Sequence, residues 1–301
     1  MNMNFTIIIP HRNIPVLLER LVGSIPERAD LEIIVVDDNS APDAVENLYK
    51  LERKNLKLIL NQHCHGAGYA RNCALPLVNG KWVLFADADD FFNKGFNEFL
   101  DDYVNTDADI VYFNANSVDS ETLEPSNRVD HLHEFIDEYY ADSNRGELVM
   151  RYLFTEPWCK MVKREVIEKN QISFEETSIR NDVRYSYLVG YYANKILVDP
   201  RQLYCVTSRK NSVSKGMGTQ ASLDELKVFA GWKKFFIDKN IPLELPKFEL
   251  RMYNLTRYLW KNIELFQEEY HVLRTVGFSR PYIIMQLIKY ICKSAKYKLN
   301  V

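Results

Sequence analysis

Apolar and polar positions follow two rhythms over the first 115 residues. Phe5–Pro10 (FTIIIP) and Leu31–Asp37 (LEIIVVD) are continuous apolar runs, the pattern of strands covered on both faces. Leu56–Leu60 and Lys81–Ala86 (KWVLFA) read as a third and a fourth strand, and Ile110–Asn114 as a fifth. Between them the spacing turns helical. Asn13 is placed to cap a helix with Pro15 in its first turn and Val16, Leu17, Leu21 and Ile25 at helical spacing. Ser40 is placed to cap a helix from Pro42 to about Arg53, and helices follow over Ala67–Leu77 and about Lys94–Val104. Strands alternating with helices through short connections predict an α/β fold with a mainly parallel sheet.

The alternation weakens over residues 115–215, which read as mixed strands and loops. From about Ser222 the chain reads as helical. Leu226, Phe229 and Ala230 fit one helix, Leu250, Tyr253, Leu255 and Leu259 a second, and Ile283–Lys298 a third. The predicted organisation is a domain over residues 1–215 and a C-terminal helical region over 216–301.

In such sheets ligands sit beyond the carboxyl ends of the strands. Those ends carry His11-Arg12-Asn13, Asp37-Asp38-Asn39-Ser40 and Asp87-Ala88-Asp89-Asp90, so carboxylates collect on one rim. If Asp87-Ala88-Asp89 is extended, its two carboxylates point the same way, roughly 7 Å apart. They could then share a divalent cation, with hard oxygen ligands favouring Mg²⁺ or Mn²⁺. The plainer reading is a solvated acidic turn with Asp90 as the next helix cap. Asp37 and Asp38 could accept hydrogen bonds from a base or ribose, or feed a helix dipole. A helix beginning near Ala67 would carry Arg71 back toward the carboxylates, where its planar fork could grip a diphosphate.

Four segments, FTIIIPHRN, IIVVDDNS, GAGYARNCA and VLFADADD, stand in this order and spacing. In them the chain resembles the nucleotide-sugar-binding half of family 2 inverting glycosyltransferases with the GT-A fold. The likeness continues through Pro157-Trp158-Cys159-Lys160, Phe174-Glu175-Glu176 and Asn181-Asp182 to Arg209-Lys210-Asn211-Ser212-Val213-Ser214, about residues 5–215 in all. It implies a Rossmann-like, mainly parallel sheet flanked by helices, an inverting transfer from a nucleoside-diphosphate sugar (a UDP sugar expected), and Mn²⁺ or Mg²⁺ as cofactor. The implied acceptor is a saccharide or lipid-linked hydroxyl in surface polysaccharide synthesis. Position by position, it implies that Pro10 and His11 line the nucleobase, with Asn13 and Ala88 in the same nucleotide-binding set. Asp38, with Asp37 beside it, reads the base, Arg71 meets the nucleotide, Asp87 lies by the ribose and Asp89 ligates the metal. Asp182 is the implied catalytic base, Trp158, Lys160 and Asn181 lie on the acceptor side, and Arg209 and Ser212 close over the diphosphate. Two positions depart from the family pattern: His11 stands where an aromatic Tyr or Phe is usual, and Asn181 where the family has Glu. The competing reading of Asp182 is a helix N-cap, and that of Trp158 a buried structural ring.

A non-catalytic nucleotide-sugar-binding scaffold, motivated by Asn181, is the alternative from another functional class. A sugar-nucleotide nucleotidyltransferase would be expected to show a glycine-rich G-x-G-x-R loop after the first strand, where this chain has His11-Arg12-Asn13.

Composition narrows the picture. With 47% hydrophobic and 26% charged residues, wholesale disorder is excluded. The net charge of −3 argues against a nucleic-acid binder. The N-terminus lacks a basic leader and a long apolar core, and no apolar run approaches the roughly 20 residues of a spanning helix. Five scattered cysteines without a C-x-x-C read as reduced thiols of a cytoplasmic protein. The charge is unevenly divided. Residues 270–301 hold six Lys and Arg and no Asp or Glu, leaving 32 basic against 41 acidic residues, a net of −9, in the rest. On a helical wheel Gln286, Lys289, Lys293 and Lys296 make a narrow stripe, and Ile283, Ile284, Met285, Leu287, Ile288, Tyr290, Ile291 and Cys292 cover most of the remainder. Two readings stay open. One is an interfacial helix on an anionic membrane surface at the cytoplasmic face of the inner membrane. The other is a helix docked on the protein body or on the partner of a homo-oligomer.

Overall fold

Eight strands form one mixed sheet, and the order of those strands is what brings distant segments to a common rim. The computed structural model describes residues 3–51, 53–208 and 219–299. Its first half runs β1 (Phe5–His11), α1 (Pro15–Ser24), β2 (Leu31–Asp38), α2 (Pro42–Leu48), β3 (Leu56–Asn61), α3 (Ala67–Ala74), β4 (Trp82–Phe85), β5 (Phe91–Phe92), α4 (Phe96–Tyr103) and β6 (Ile110–Asp119). Then come α5 (Asp130–Ala141), α6 (Ser143–Tyr152), β7 (Lys160–Lys163), α7 (Arg164–Lys169), α8 (Val183–Tyr192) and β8 (Ile196–Ser208). Four further helices are α9 (Thr219–Asp238), α10 (Pro246–Lys261), α11 (Ile263–Val276) and α12 (Arg280–Leu299). The sheet order is β3-β2-β1-β4-β7-β6-β8-β5. Strands β1, β2, β3 and β4 run parallel, β7 is antiparallel to both neighbours, and β8 is parallel to β6 but antiparallel to β5.

The apolar runs become strands for the predicted reason. All eight residues of β2 are buried, as are all four of β4. Helix α1 starts at Pro15, where a missing N–H costs nothing, and buries Leu18, Leu21 and Val22. Val16, expected on that face, is 75% exposed instead. Residues 115–215 contain more helix than expected. Helix α5 escapes a periodicity search because only Leu132 and Ile136 along its length are fully buried.

The chain forms two compact units: Met1–Thr177 with Asn181–Val213, and Ser178–Arg180 with Ser214–Val301. Within the second, α9 buries Leu226, Phe229 and Ala230, and α10 buries Met252 and Leu255. Leu250, expected on the buried face of that helix, is 60% exposed. Among the described residues no helix is long and apolar enough to cross a membrane.

Candidate active site

Three loops leave the carboxyl ends of β1, β2 and β4 and build one rim. The first two are tied to each other. Nδ1 of His11 donates to Oδ1 of Asp37 at 2.8 Å, and Nε2 accepts from the Ile14 N–H at 3.2 Å. Because Nε2 accepts, the ring proton sits on Nδ1. Asp37 also accepts from the Ser40 N–H at 2.9 Å and from its hydroxyl at 2.5 Å. Ser40 Oγ accepts from the Asn13 N–H, and Asn13 Oδ1 from the Ala41 N–H, both at 2.8 Å. Neither predicted cap forms: Ile14 and Ala41 occupy the cap positions of α1 and α2, without a capping side chain. Asn13 and Asn39 instead adopt left-handed conformations, φ 55° and 60°, that Asn tolerates better than most residues. His11 is 2% and Asp37 1% exposed, so both brace the rim from inside, while Pro10 lies half-buried beside them.

Asp38, 4% exposed, anchors the next loop. It accepts from the backbone N–H groups of His65 (3.0 Å) and Gly66 (2.8 Å) and from the Cys64 thiol (3.2 Å). Burial, helped by the adjacent Asp38, pushes the Cys64 thiol up and keeps it a donor. This loop leads into α3, which supplies Arg71.

Arg71 is 4% exposed and joins two segments. Nη2 donates to Oδ1 of Asp87 at 2.6 Å and Nη1 to Oδ1 of Asn181 at 2.9 Å. The guanidinium carbon stands 5.2 Å from the centroid of the Phe174 ring, which stacks on Tyr185 at 4.3 Å. Asn72, one residue on, accepts from the Phe174 N–H and donates to its carbonyl. Helix α3 thus clamps the chain that delivers Asn181 and Asp182.

The Asp87–Asp90 segment is a hydrogen-bonded turn, with the Asp90 N–H donating to the Asp87 carbonyl at 3.0 Å, and is not extended as expected. It leads into β5 and not into a helix. Asp87 and Asp89 remain partly exposed, while Ala88 and Asp90 are each 3% exposed. Asp90 is no helix cap. Its Oδ1 accepts the Thr207 N–H at 2.8 Å, and burial, followed by the charges of Asp89 and Asp87, pushes its carboxyl well above the ordinary range. Side chains from β8 and α1 complete the turn: the Tyr204 hydroxyl accepts from the Asp87 N–H at 2.9 Å, and the Asp89 carbonyl accepts from Thr207 Oγ1 (2.8 Å) and Arg20 (2.5 Å).

Asp182 occupies the N-cap position of α8, yet its carboxylate makes no capping bond. It is partly buried, and burial pushes it up to about 6, with the charges of Glu156 and Asp87 adding and Arg71 opposing. Nothing in the sequence singles out Glu156. One of its oxygens lies 3.1 Å from His131 Nε2, and the other is buried without a partner.

Trp158 and Lys160, expected on the acceptor side, are both buried. Trp158 is 8% exposed and stacks on Tyr204 at 5.5 Å, so it supports the residue that holds Asp87. Lys160 is 1% exposed and donates to the Phe154 carbonyl at 2.6 Å. Burial lowers its pKa to about 7 against the pull of Glu156 and Asp182. Arg209 and Ser212 lie outside the described residues.

Asp87 and Asp89 offer only oxygen donors, the set that suits Mg²⁺ or Mn²⁺. Among the described residues no three His, Cys, Asp or Glu side chains form a cage. Mg²⁺ is commonly held by one or two carboxylates and completed by substrate phosphates.

Against this geometry, the profile of Glycosyl transferase family 2 matches residues 6–170. The chain belongs to glycosyl transferase family 2. The glucosyltransferase WfaP of Escherichia coli, which acts on alpha-D-GlcNAc-diphosphoundecaprenol, is 38% identical over 63 residues, 21% of this chain and 25% of WfaP. TarS of Staphylococcus aureus, a poly(ribitol-phosphate) β-N-acetylglucosaminyltransferase, is 35% identical over 98 residues. That match spans 31% of this chain and 17% of TarS, so the chain matches a quarter or less of either relative's length. In structure, residues 1–349 of TarS in complex with UDP-GlcNAc superpose with a TM-score of 0.67 at 18% identity, over 99% of this chain and 92% of that one. The mannosyltransferase PcManGT of Pyrobaculum calidifontis, in complex with GDP-Man and Mn²⁺, superposes at 0.53 and 16% identity, over 99% of this chain and 81% of that one. The family 2 sheet, with its GT-A-like arrangement and appended helices, is therefore the fold of this chain.

Proposed function

We propose that the chain transfers a sugar from a UDP sugar, with inversion, to a hydroxyl of a saccharide or lipid-linked acceptor in the assembly of a surface polysaccharide. The observation that carries this reading is the joining of Asp87 and Asn181 by Arg71 on the strand-end rim, with Asp182 next in the chain. TarS in complex with UDP-GlcNAc, and WfaP with its UDP-glucose donor and diphosphoundecaprenol-linked acceptor, support it.

In this reading Asp182 takes the proton from the acceptor hydroxyl. The oxygen attacks the anomeric carbon on the face opposite the diphosphate, and such general-base help contributes about 10²–10⁴-fold. Arg71 sets a fixed positive charge where the nucleoside diphosphate departs, and being held from two sides it needs no reordering at the moment of reaction. Asp87 holds the ribose. Asp89, with Asp87 beside it, would hold Mg²⁺ or Mn²⁺, whose charge offsets that of the leaving diphosphate.

The test is release of UDP from a panel of UDP sugars, with and without saccharide and lipid-diphosphate acceptors. EDTA is expected to abolish release and Mn²⁺ to restore it. Full activity in EDTA would remove the metal from the scheme, and UDP binding without any turnover would leave a nucleotide-sugar-binding scaffold.

A pH dependence follows from Asp182. A base with a pKa of about 6 is protonated and inactive below that pH, so activity is lost on the acid side. Log kcat/KM is expected to rise with unit slope and level off above a midpoint near 6. A midpoint near 4, the ordinary carboxylate range, would assign the proton transfer to another group.

A further inference from the structure

Over the described side chains, residues 280–291, helix α12 has two apolar faces, of which one is covered. Ile283, Leu287 and Tyr290 are buried, at 1%, 8% and 4% exposure, and the helix packs on α10. Its entry is fixed by Phe278, whose ring lies over Phe248 at 5.7 Å and over Tyr282 at 4.8 Å. The other face shows Ile284, Met285, Ile288 and Ile291, exposed by 52%, 57%, 56% and 39%. Their spacing of one, three and three residues sets them along a single side over two turns. An aliphatic strip of this kind marks an interaction surface on a soluble protein.

We infer that this bare face of α12 lies in the interface of an anionic lipid bilayer, its aliphatic side chains among the acyl chains and its basic residues at the headgroups. Charge selects this occupant. Arg280 and Lys289 are exposed on the same helix, Lys289 also lying 3.6 Å from Glu249 of α10, and residues 270–301 carry six Lys and Arg with no acidic residue. A second copy docking through the same patch would meet it by two-fold symmetry, bringing the net-positive residues 270–301 toward their like. Anionic headgroups complement them instead, each Lys or Arg near such a surface adding to the attraction. Among the described residues no helix is long and apolar enough to cross a membrane, and the proposed placement is in the plane of the interface.

The test is flotation of the full chain with phosphatidylglycerol-containing vesicles and with phosphatidylcholine vesicles. Binding is expected to the anionic vesicles only and to weaken as salt is raised. Ile288→Asp is expected to lower the partition at least about tenfold, since a charge replaces an aliphatic anchor at the acyl boundary. Ile288 is exposed, so this variant should keep the wild-type far-ultraviolet dichroism. Absence of flotation, or equal flotation of Ile288→Asp and the wild type, overturns the proposal. So does a wild-type dimer that Ile288→Asp splits while lipid binding is absent, which assigns the face to a second copy. The assay needs neither donor nor acceptor, so its failure leaves the transfer reaction untouched.

Discussion

Asp182→Asn is expected to lower sugar transfer by about 10²–10⁴-fold while leaving nucleotide binding intact. Asparagine matches aspartate in shape but cannot accept a proton. The substitution should fold normally, because the Asp182 carboxylate makes no capping bond at the start of α8. Two measurements separate chemistry from binding. Initial rates of UDP release with acceptor should collapse, and the rise in Tm that UDP produces by mass action should persist. The loss should appear in kcat, since deprotonation of the acceptor belongs to the transition state. Unchanged transfer would move the base elsewhere. Glu156 would then be the first residue to test, as a carboxylate with one partnerless oxygen whose charge reaches Asp182.

The second large effect is expected at Gly68, a residue that touches no substrate in this scheme. A Cβ on Gly68 would stand 2.1 Å from the Glu175 carbonyl oxygen and 2.9 Å from the Asn181 Cβ. Neither neighbour can swing aside. Glu175 is met through its backbone, and its N–H is held by the Asn181 carbonyl at 3.0 Å. Gly68→Ala should therefore push the 175–181 segment off α3, at a cost of about 1–3 kcal/mol in stability. The displaced segment carries Asn181, the second anchor of Arg71, and Asp182 next to it. Activity should consequently fall further than the stability loss explains, because misplacement by about 1 Å can cost on the order of 100-fold. Chemical denaturation with kinetics on the folded fraction checks this. Full activity with reduced stability would show that the rim tolerates the shift.

The strands that form the rim could be read from the sequence, because a strand covered on both faces has to be apolar throughout. Leu31–Asp38 and Trp82–Phe85 announce themselves for that reason. The loops were legible in content but not in conformation. Asp37 and Ser40 look like a helix start, yet they are claimed by His11 and Asn13, a bond pattern spanning 26–27 residues that no local signal encodes. Asp87-Ala88-Asp89 looks extended because it follows a strand. It turns because Tyr204 and Thr207 hold it from a distance of 117–118 residues. Trp158 and Lys160 are legible as residue types that suit sugar contact, and only packing shows that both are buried.

The placement of β5 carries a consequence for synthesis. The Asp87–Asp90 turn leaves β4, which pairs with β1, and enters β5, which pairs only with β8 among the described strands, through Phe91 with Cys205 and Phe92 with Tyr204. As the chain leaves the ribosome, β1 to β4 can assemble from the first 85 residues. The turn's bonds to Tyr204 and Thr207, however, wait until residues 196–208 arrive, although Arg20 of α1 can already reach the Asp89 carbonyl. At about 5–20 residues per second that delay is on the order of ten seconds. The turn that carries Asp87 and Asp89 is thus the last part of the rim to be braced in full, and a ribosome-stalled chain ending before Ile196 would hold a formed β1–β4 sheet without the β8 bonds to that turn.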